Sequence, residues 1–152
     1  MCTKTALYKN LLTDIENIID CSVPTFTNLG NITALVKERF NWFWVGFYKV
    51  NGEELILDAF QGSPACVRIA KGKGVCGKSW EENKSFIVKD VSLFKGHIAC
   101  NPNSKSEIVI PIFNKRKEVV YVLDIDHDKI NAFNKEDEIN LRLINKLILE
   151  II

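Results

Sequence analysis

Residues 42–60 read WFWVGFYKVNGEELILDAF and carry the clearest structural signal in the chain. Residues 42–50 are rich in aromatic and β-branched side chains, which is typical of a β-strand. Asn51-Gly52 follows, and this dipeptide favours a tight hairpin turn. Residues 54–60 supply a second apolar run. The segment therefore predicts two antiparallel strands joined by a two-residue turn.

A second hairpin is predicted further along the chain. Residues 107–113 and 118–126 are both strand-like, and the polar turn Asn114–Lys117 separates them. Working outward from the two hairpins, helical periodicity appears at both ends of the sequence. The predicted helices cover residues 7–19, residues 26–40 and a closing segment from Lys135 to Ile152.

The closing helix has Asn134 as its predicted N-cap, and its apolar stripe is predicted to hold Ile139, Leu143, Leu147 and Ile151. Two helices, two hairpins and a final helix predict an α+β fold. Its central antiparallel β-sheet would be flanked by N-terminal and C-terminal helices.

Composition limits the possible functions. The chain has 152 residues, which predicts a single domain over residues 1–152. With 20 basic and 19 acidic residues the net charge is +1, which gives no electrostatic reason to expect nucleic acid or an anionic membrane as partner. No apolar run is long enough to span a bilayer, and Lys4, Lys9 and Asp14 interrupt any signal peptide. A cytoplasmic protein is expected.

The five cysteines are unusual for such a protein, because cytosolic thiols stay reduced unless they perform chemistry or bind metal. Cys66, Cys76 and Cys100 all fall between residues 61 and 106, where Gly, Pro, Asn and Ser predict loops. An exposed loop thiol of low pKa at Cys100 would be nucleophilic, and Cys66 could act as its resolving partner. The alternative for each is a buried thiol without chemistry. Cys2 and Cys21 lie near the first helix and receive no role.

Acidic residues cluster in the predicted sheet. Asp124 and Asp126 are two apart on one strand and so point to one face, with Glu107 on the neighbouring strand. If these carboxyls are buried together, repulsion and desolvation raise at least one pKa and leave a protonated general acid. The alternative is a solvated strand end.

Aromatic residues recur with even spacing on the first predicted strand. Trp42, Trp44 and Tyr48 are therefore predicted to share one face, either as core or as one wall of a small apolar pocket.

Two further motifs compete with redox chemistry. Residues 72–79 match the phosphate-loop pattern G-x-x-x-x-G-K-[ST], but the preceding run is too short for a buried parallel strand and little room remains for a helix. A zinc site is the other alternative, with the ligand types supplied by Cys66, Cys76, His97 and Cys100. The only close pair of these is His97-x-x-Cys100, whereas structural zinc sites usually show two close pairs.

Several blocks together resemble the free methionine-(R)-sulfoxide reductases, which are stand-alone GAF-domain enzymes. The resemblance extends from about residue 28 to the C-terminus. Its blocks are residues 44–48, 60–62, 64–66, 72–77, 90–91, 96–100, 104, 106–109 and 123–126.

This resemblance implies a GAF-like fold, usually found as a homodimer, and a role for each cysteine of the central region. Cys100 matches the family's nucleophile and Cys66 its principal resolving cysteine, while Cys76 matches a third cysteine that can join disulfide exchange. The substrate-binding residues implied by the same comparison are Trp44, Tyr48, Glu107, Asp124 and Asp126.

The implied reaction is reduction of free methionine-(R)-sulfoxide without metal or organic cofactor. The Cys100 thiolate attacks the sulfoxide sulfur, a sulfenic acid forms, and Cys66 or Cys76 converts it to a disulfide that thioredoxin reduces. Lys95 and Tyr121 depart from the family pattern, and Tyr121 is expected to affect the pocket near Asp124. A non-catalytic GAF domain that senses a small molecule is the alternative function.

Overall fold

The computed structural model describes residues 3–152. The elements in chain order are helices α1 (Lys4–Ile18) and α2 (Thr25–Phe40), strands β1 (Trp44–Asn51), β2 (Glu54–Gln61) and β3 (Arg68–Ala70), helix α3 (Gly74–Glu82), strand β4 (Phe86–Val88), a 3-10 turn (Val91–Leu93), strands β5 (Ser106–Phe113) and β6 (Val119–His127), and helix α4 (Lys135–Ile148). None of the helices within residues 3–152 is long and apolar enough to cross a membrane.

The six strands form one antiparallel sheet in the order β3-β2-β1-β6-β5-β4. Both predicted hairpins are present, and β1 and β6 form the centre of the sheet. Asp126 lies opposite Trp44 on one side and opposite Glu107 on the other. The predicted α+β architecture is confirmed.

The two faces of the sheet have separate cores. One face packs against α1, α2 and α4 through residues such as Val45, Phe47, Leu123 and Ile125. The other face carries Trp44 and Tyr48 and packs against α3 and the loops around it, and the polar site described below is built there. Because successive side chains of a strand point to opposite faces, every second side chain of β1 and β6 packs against the helical layer.

Two predictions from the sequence, on the faces that Trp42 and Tyr121 occupy, are wrong. Trp42 does not share a face with Trp44 and Tyr48, because it precedes β1 and turns into the helical core, where it stacks on Phe40 at 4.3 Å. Tyr121 does not crowd the pocket near Asp124, because it also points to the helical layer. Its hydroxyl there donates to Asp58 at 3.2 Å.

Helix α4 begins as predicted but presents a different face to the core. Asn134 caps it within a capping box, yet Ile139 and Leu143 are exposed, and the buried apolar residues are Leu141, Ile144 and Ile148. The helix carries apolar side chains on more than one face, so periodicity alone does not fix its rotation. In the observed rotation Leu141, Ile144 and Ile148 join the core, and buried Asp137 accepts a hydrogen bond from the Tyr8 hydroxyl at 2.6 Å.

The glycine-rich run 72–79 leads into α3, which begins at Gly74, so a short helix does form where the sequence leaves little room for one. The strand before it, β3, has three residues and pairs antiparallel at the sheet edge, unlike the long parallel strand that a phosphate loop follows. Lys78 pairs with Glu81 at 3.1 Å, and Ser79 donates its hydroxyl hydrogen to the Lys84 carbonyl at 2.8 Å. Gly77 is required by close packing, since a Cβ there would lie 2.5 Å from a β3 carbonyl oxygen.

Candidate active site

A cleft opens on the face of the sheet that the α1, α2 and α4 layer leaves free. Its floor is formed by β1, β5 and β6, and its walls by α3 and the loops at residues 63–66 and 97–104. The open space, including the mouth, amounts to about 530 Å³. Seven predicted site residues line it: Trp44, Tyr48, Cys76, Cys100, Glu107, Asp124 and Asp126.

The eighth predicted residue, Cys66, joins the site through a disulfide bond with Cys100. Their Cα atoms are 5.4 Å apart although the residues are 34 positions apart in sequence. Both cysteines are half-buried at the rim of the cleft. Tyr48, at the cleft floor, donates its hydroxyl hydrogen to the Cys66 carbonyl oxygen at 2.9 Å. The sheet thereby holds the loop that carries Cys66.

Cys76 differs from these two cysteines. It lies on the first turn of α3, so the prediction of a loop position is wrong for this cysteine, and it is 3% exposed with a free thiol. Its Sγ atom is 4.0 Å from Glu107 Oε1. Burial raises the pKa of the Cys76 thiol, and the nearby Asp124 and Glu107 carboxyls raise it further. Cys76 is therefore a protonated thiol at neutral pH.

Of the two remaining cysteines, Cys21 lies away from the cleft. Cys21 is exposed, and its Sγ lies 3.9 Å from the Glu150 carbonyl oxygen near the chain's end. Cys2 lies outside the described residues.

Three carboxyls meet on the cleft floor. Glu107 and Asp124 are each 6% exposed, and burial raises the pKa of both well above the usual range. Burial also raises the pKa of Asp126, but only to about 6, because Ser104 donates a hydrogen bond to it and His97 lies nearby. Asp126 thus ionises first, and its charge keeps protons on the other two.

His97 borders this group, with its Nε2 atom 3.4 Å from Glu107 Oε2. Burial lowers the pKa of the imidazole, while the Asp126 charge acts in the opposite direction. Lowering the pKa from 6.5 favours the neutral ring at neutral pH. Among these neighbours, Asp126 is the group that carries charge.

Trp44 forms a fixed aromatic wall. Its indole Nε1 donates to the Ser63 carbonyl at 3.0 Å, and its ring stacks on Phe60 at 5.6 Å. The ring lies over Gly46, where a Cβ atom would be 2.2 Å from Trp44 Cη2. It also contacts Gly62, which adopts a φ of +138°. The glycines therefore leave the space that the indole occupies.

Sequence patterns do not reveal the polar contacts between the loops. Asn101 donates its side-chain amide to Ser63 Oγ at 2.8 Å, which joins the loops that carry Cys100 and Cys66. Ser104 follows in the same loop and bonds to Asp126. The only signal for Asn101 is its position just after Cys100 in a polar segment, whereas Ser104 is also one of the residues that carry the family resemblance. Lys95, in contrast, is exposed and outside the cleft lining.

This arrangement combines a bonded pair of cysteines, protonated carboxyls and an apolar wall. A protonated carboxyl can donate a proton to a leaving oxygen atom. Two thiols that lie close together in space can be oxidised to a disulfide.

Comparison with known proteins agrees with this geometry. A GAF domain family model matches residues 30–148. The GAF domain-containing protein A of Dictyostelium discoideum is 50% identical over 147 residues, covering 96% of this chain and 92% of that protein. The free methionine-R-sulfoxide reductase of Escherichia coli is 41% identical over 140 residues, covering 91% and 84%.

A solved structure is similar over almost the whole chain. It is the free methionine-R-sulfoxide reductase from Neisseria meningitidis in complex with its substrate, with a TM-score of 0.92 and 40% identity. The match covers 99% of this chain and 90% of the Neisseria chain. By the match to the family model and the identity to these reductases, this chain belongs to the GAF domain family and, within it, to the free methionine-R-sulfoxide reductases.

Proposed function

We propose that this protein reduces free methionine-(R)-sulfoxide to methionine in a thiol-dependent reaction. The observation that carries the proposal is the Cys66–Cys100 pair at the rim of a cleft whose floor holds Glu107, Asp124 and Asp126. The Escherichia coli and Neisseria meningitidis relatives that bear this activity in their names support it.

The cleft can orient a sulfoxide by its two different surfaces. Trp44 offers apolar area to the methyl group and side chain of the substrate, and the carboxyl groups face its oxygen. With Asp126 ionised at neutral pH, Glu107 and Asp124 keep their protons. One of these two carboxyls therefore acts as the hydrogen-bond donor and general acid.

The proposed chemistry proceeds in two steps. The Cys100 thiolate attacks the sulfoxide sulfur while a carboxyl group protonates the oxygen. The substrate S–O bond breaks, the oxygen passes to the Cys100 sulfur, and methionine leaves Cys100 as a sulfenic acid. The Cys66 thiol then attacks the sulfenic acid sulfur, a disulfide bond forms, and the oxygen leaves as water.

Cys66 is the proposed resolving residue, and Cys76 stays a thiol. Cys66 is bonded to Cys100, whereas Cys76 is buried on α3 with a raised pKa, and a protonated thiol is a poor nucleophile. The burial of Cys76 beside Glu107 fits a residue of the pocket wall.

The remaining parts of the cycle are proposed from the resemblance. The disulfide must be reduced in every turnover, which suits a reducing cytoplasm and a dithiol protein such as thioredoxin as reductant. A homodimer is proposed from the same resemblance, and light scattering of the purified chain tests it.

The decisive experiment follows loss of free methionine-(R)-sulfoxide with dithiothreitol and then with thioredoxin, using the S-diastereomer as the stereochemical control. We expect Cys100→Ser to abolish turnover and Cys21→Ser, a cysteine outside the cleft, to retain it. Full activity in Cys100→Ser would overturn the assignment. Binding of the sulfoxide without turnover, unaffected by Cys66→Ser, would instead favour a sensor of small molecules.

A further inference from the structure

The buried end of the cleft brings together one thiol and two carboxyls. The Sγ atom of Cys76 and carboxyl oxygens of Glu107 and Asp124 all lie within 4.8 Å of one another. Within residues 3–152 this is the one group of three or more such side chains. It differs from the zinc set suggested by the sequence, because Cys66 and Cys100 are bonded to each other.

An unsatisfied oxygen in this group points to a ligand. Asp124 Oδ1 is buried and has no hydrogen-bond partner among the described residues. Leaving a buried acceptor without a partner costs free energy, of the order of 1–3 kcal/mol in proteins. The cleft is lined by all three side chains, so a species bound there can satisfy this oxygen.

The distances suit a small cation that accepts sulfur and oxygen. Tetrahedral zinc with Zn–S near 2.3 Å and Zn–O near 2.1 Å places its sulfur and oxygen ligands about 3.6 Å apart. Cys76 Sγ and Glu107 Oε1 are 4.0 Å apart, so a small rotation of either side chain suffices. His97 is adjacent, since its Nε2 lies 3.4 Å from Glu107 Oε2.

We propose that Cys76, Glu107 and Asp124 form a binding site for a thiophilic divalent cation, Zn²⁺ or Cd²⁺, at the buried end of the cleft. The thiol gives the site its selectivity, because sulfur ligands favour these ions while Mg²⁺ and Ca²⁺ require oxygen ligands. On binding, Cys76, Glu107 and Asp124, which hold protons in the empty cleft, release them to solvent. Bonds then form between the cation and the thiolate and two carboxylates, and no oxidation occurs.

One consequence rests on the proposed function. Glu107 and Asp124 are the groups proposed to face the sulfoxide oxygen, so a bound cation occupies the same space and removes the proton donor. The cation is therefore an inhibitor that competes with substrate, and the reduced enzyme in the presence of zinc shows a raised apparent KM.

The direct test measures binding without turnover. The probe is Cd²⁺, which gives an ultraviolet charge-transfer band when bound by a thiolate. The protein is the oxidised chain with Cys2→Ser and Cys21→Ser. Of the five cysteines, two are then replaced and two form the Cys66–Cys100 disulfide, which leaves Cys76 as the single thiol. We expect one Cd²⁺ bound per chain and no band with Mg²⁺.

The variants distinguish a site formed by all three side chains from binding by the Cys76 thiol alone. Cys76→Ser in this background should abolish the band, and Asp124→Asn should weaken binding at least about tenfold, comparable with losing a supporting group at a metal site. Glu107→Gln provides an independent second carboxyl variant. Asp128→Asn, an exposed carboxyl beyond the cleft, is the matched control and should leave binding unchanged.

Absence of the band in the starting protein would overturn the proposal, as would equal affinity in the folded Asp124→Asn or Glu107→Gln protein. Circular dichroism verifies the fold of each variant. If the protein showed no reductase activity at all, the proposed function would fail, while the Cd²⁺ titration would still decide whether the cation site exists.

Discussion

Replacing Asp126 by asparagine tests how protons are distributed among the carboxyls of the cleft. Asn keeps the size of the side chain and can still accept the hydrogen bond from Ser104, but it cannot ionise. In the native protein the pKa of Asp126 is raised from 3.8 to about 6, chiefly by burial. The substitution removes this one titration from the folded state.

The direction of the pH dependence follows from the linkage between proton binding and folding. A carboxyl whose pKa is raised on folding binds more protons in the native state, so its stabilising contribution is present below the unfolded pKa and is lost as the pH rises through about 6. A shift from 3.8 to about 6 corresponds to about 3 kcal/mol when complete. Between about pH 5 and about pH 7.5, roughly 1.4 kcal/mol of this is lost.

The assay is urea denaturation of the oxidised protein at these two pH values. Relative to wild type, Asp126→Asn should lose about 1.4 kcal/mol less free energy of unfolding over the interval. Glu107, Asp124 and His97 face the same cleft and feel the Asp126 charge, so the difference between the two curves reports Asp126 together with its effect on these neighbours. Asp128→Asn, exposed two residues further on, serves as control. An unchanged pH dependence in Asp126→Asn, or one steeper than wild type, would refute this proton distribution.

Three other substitutions test the positions of single side chains. Gly46→Ala places a Cβ 2.2 Å from the Trp44 ring, so we expect a loss of about 1–3 kcal/mol in urea denaturation and a raised KM; an unchanged KM would show that the indole is not a substrate wall. Tyr48→Phe removes the hydroxyl that donates a hydrogen bond to the Cys66 carbonyl, so Cys66 should be placed less well to attack the sulfenic acid. A trapping reagent should then detect more sulfenic acid per turnover, and an amount equal to that of the wild type would contradict this role. Cys76→Ser should still form the disulfide after one turnover in mass spectrometry, and its loss would make Cys76 the resolving residue.

Much of the sheet is predictable because its signals are local. Alternation within β6 places Asp124 and Asp126 on one face, and the pairing of β5 with β6 brings Glu107 opposite Asp126. The prediction for Trp42 is wrong because strand alternation does not extend beyond the first residue of β1. Helix α4 shows the same limit, since its buried face is set by tertiary packing, which includes the bond from Tyr8 to Asp137, 129 residues apart.

The relation between the cysteines is less predictable for a different reason. Cys66, Cys76 and Cys100 all occur in a glycine-rich region, and their spacing does not say which two meet. Tertiary contacts decide it, because Tyr48 and Asn101 hold the two rim loops together while α3 buries Cys76. The resemblance to a family implies the pairing of Cys66 with Cys100, whereas residue patterns alone only allow it.

The bond between Cys66 and Cys100 also changes the connectivity of the polypeptide during the proposed cycle. When it is closed, β3, α3 and β4 lie inside a covalent ring that spans 34 positions, and when it is reduced the chain is linear. Closing a ring of this size lowers the conformational entropy of the unfolded chain. In the loop-entropy model this stabilises the folded protein by about 3–4 kcal/mol. Oxidised protein should therefore melt at a higher temperature than reduced protein, and Cys66→Ser should remove the difference. Each turnover would then raise the protein's resistance to unfolding, and each encounter with reductant would lower it again.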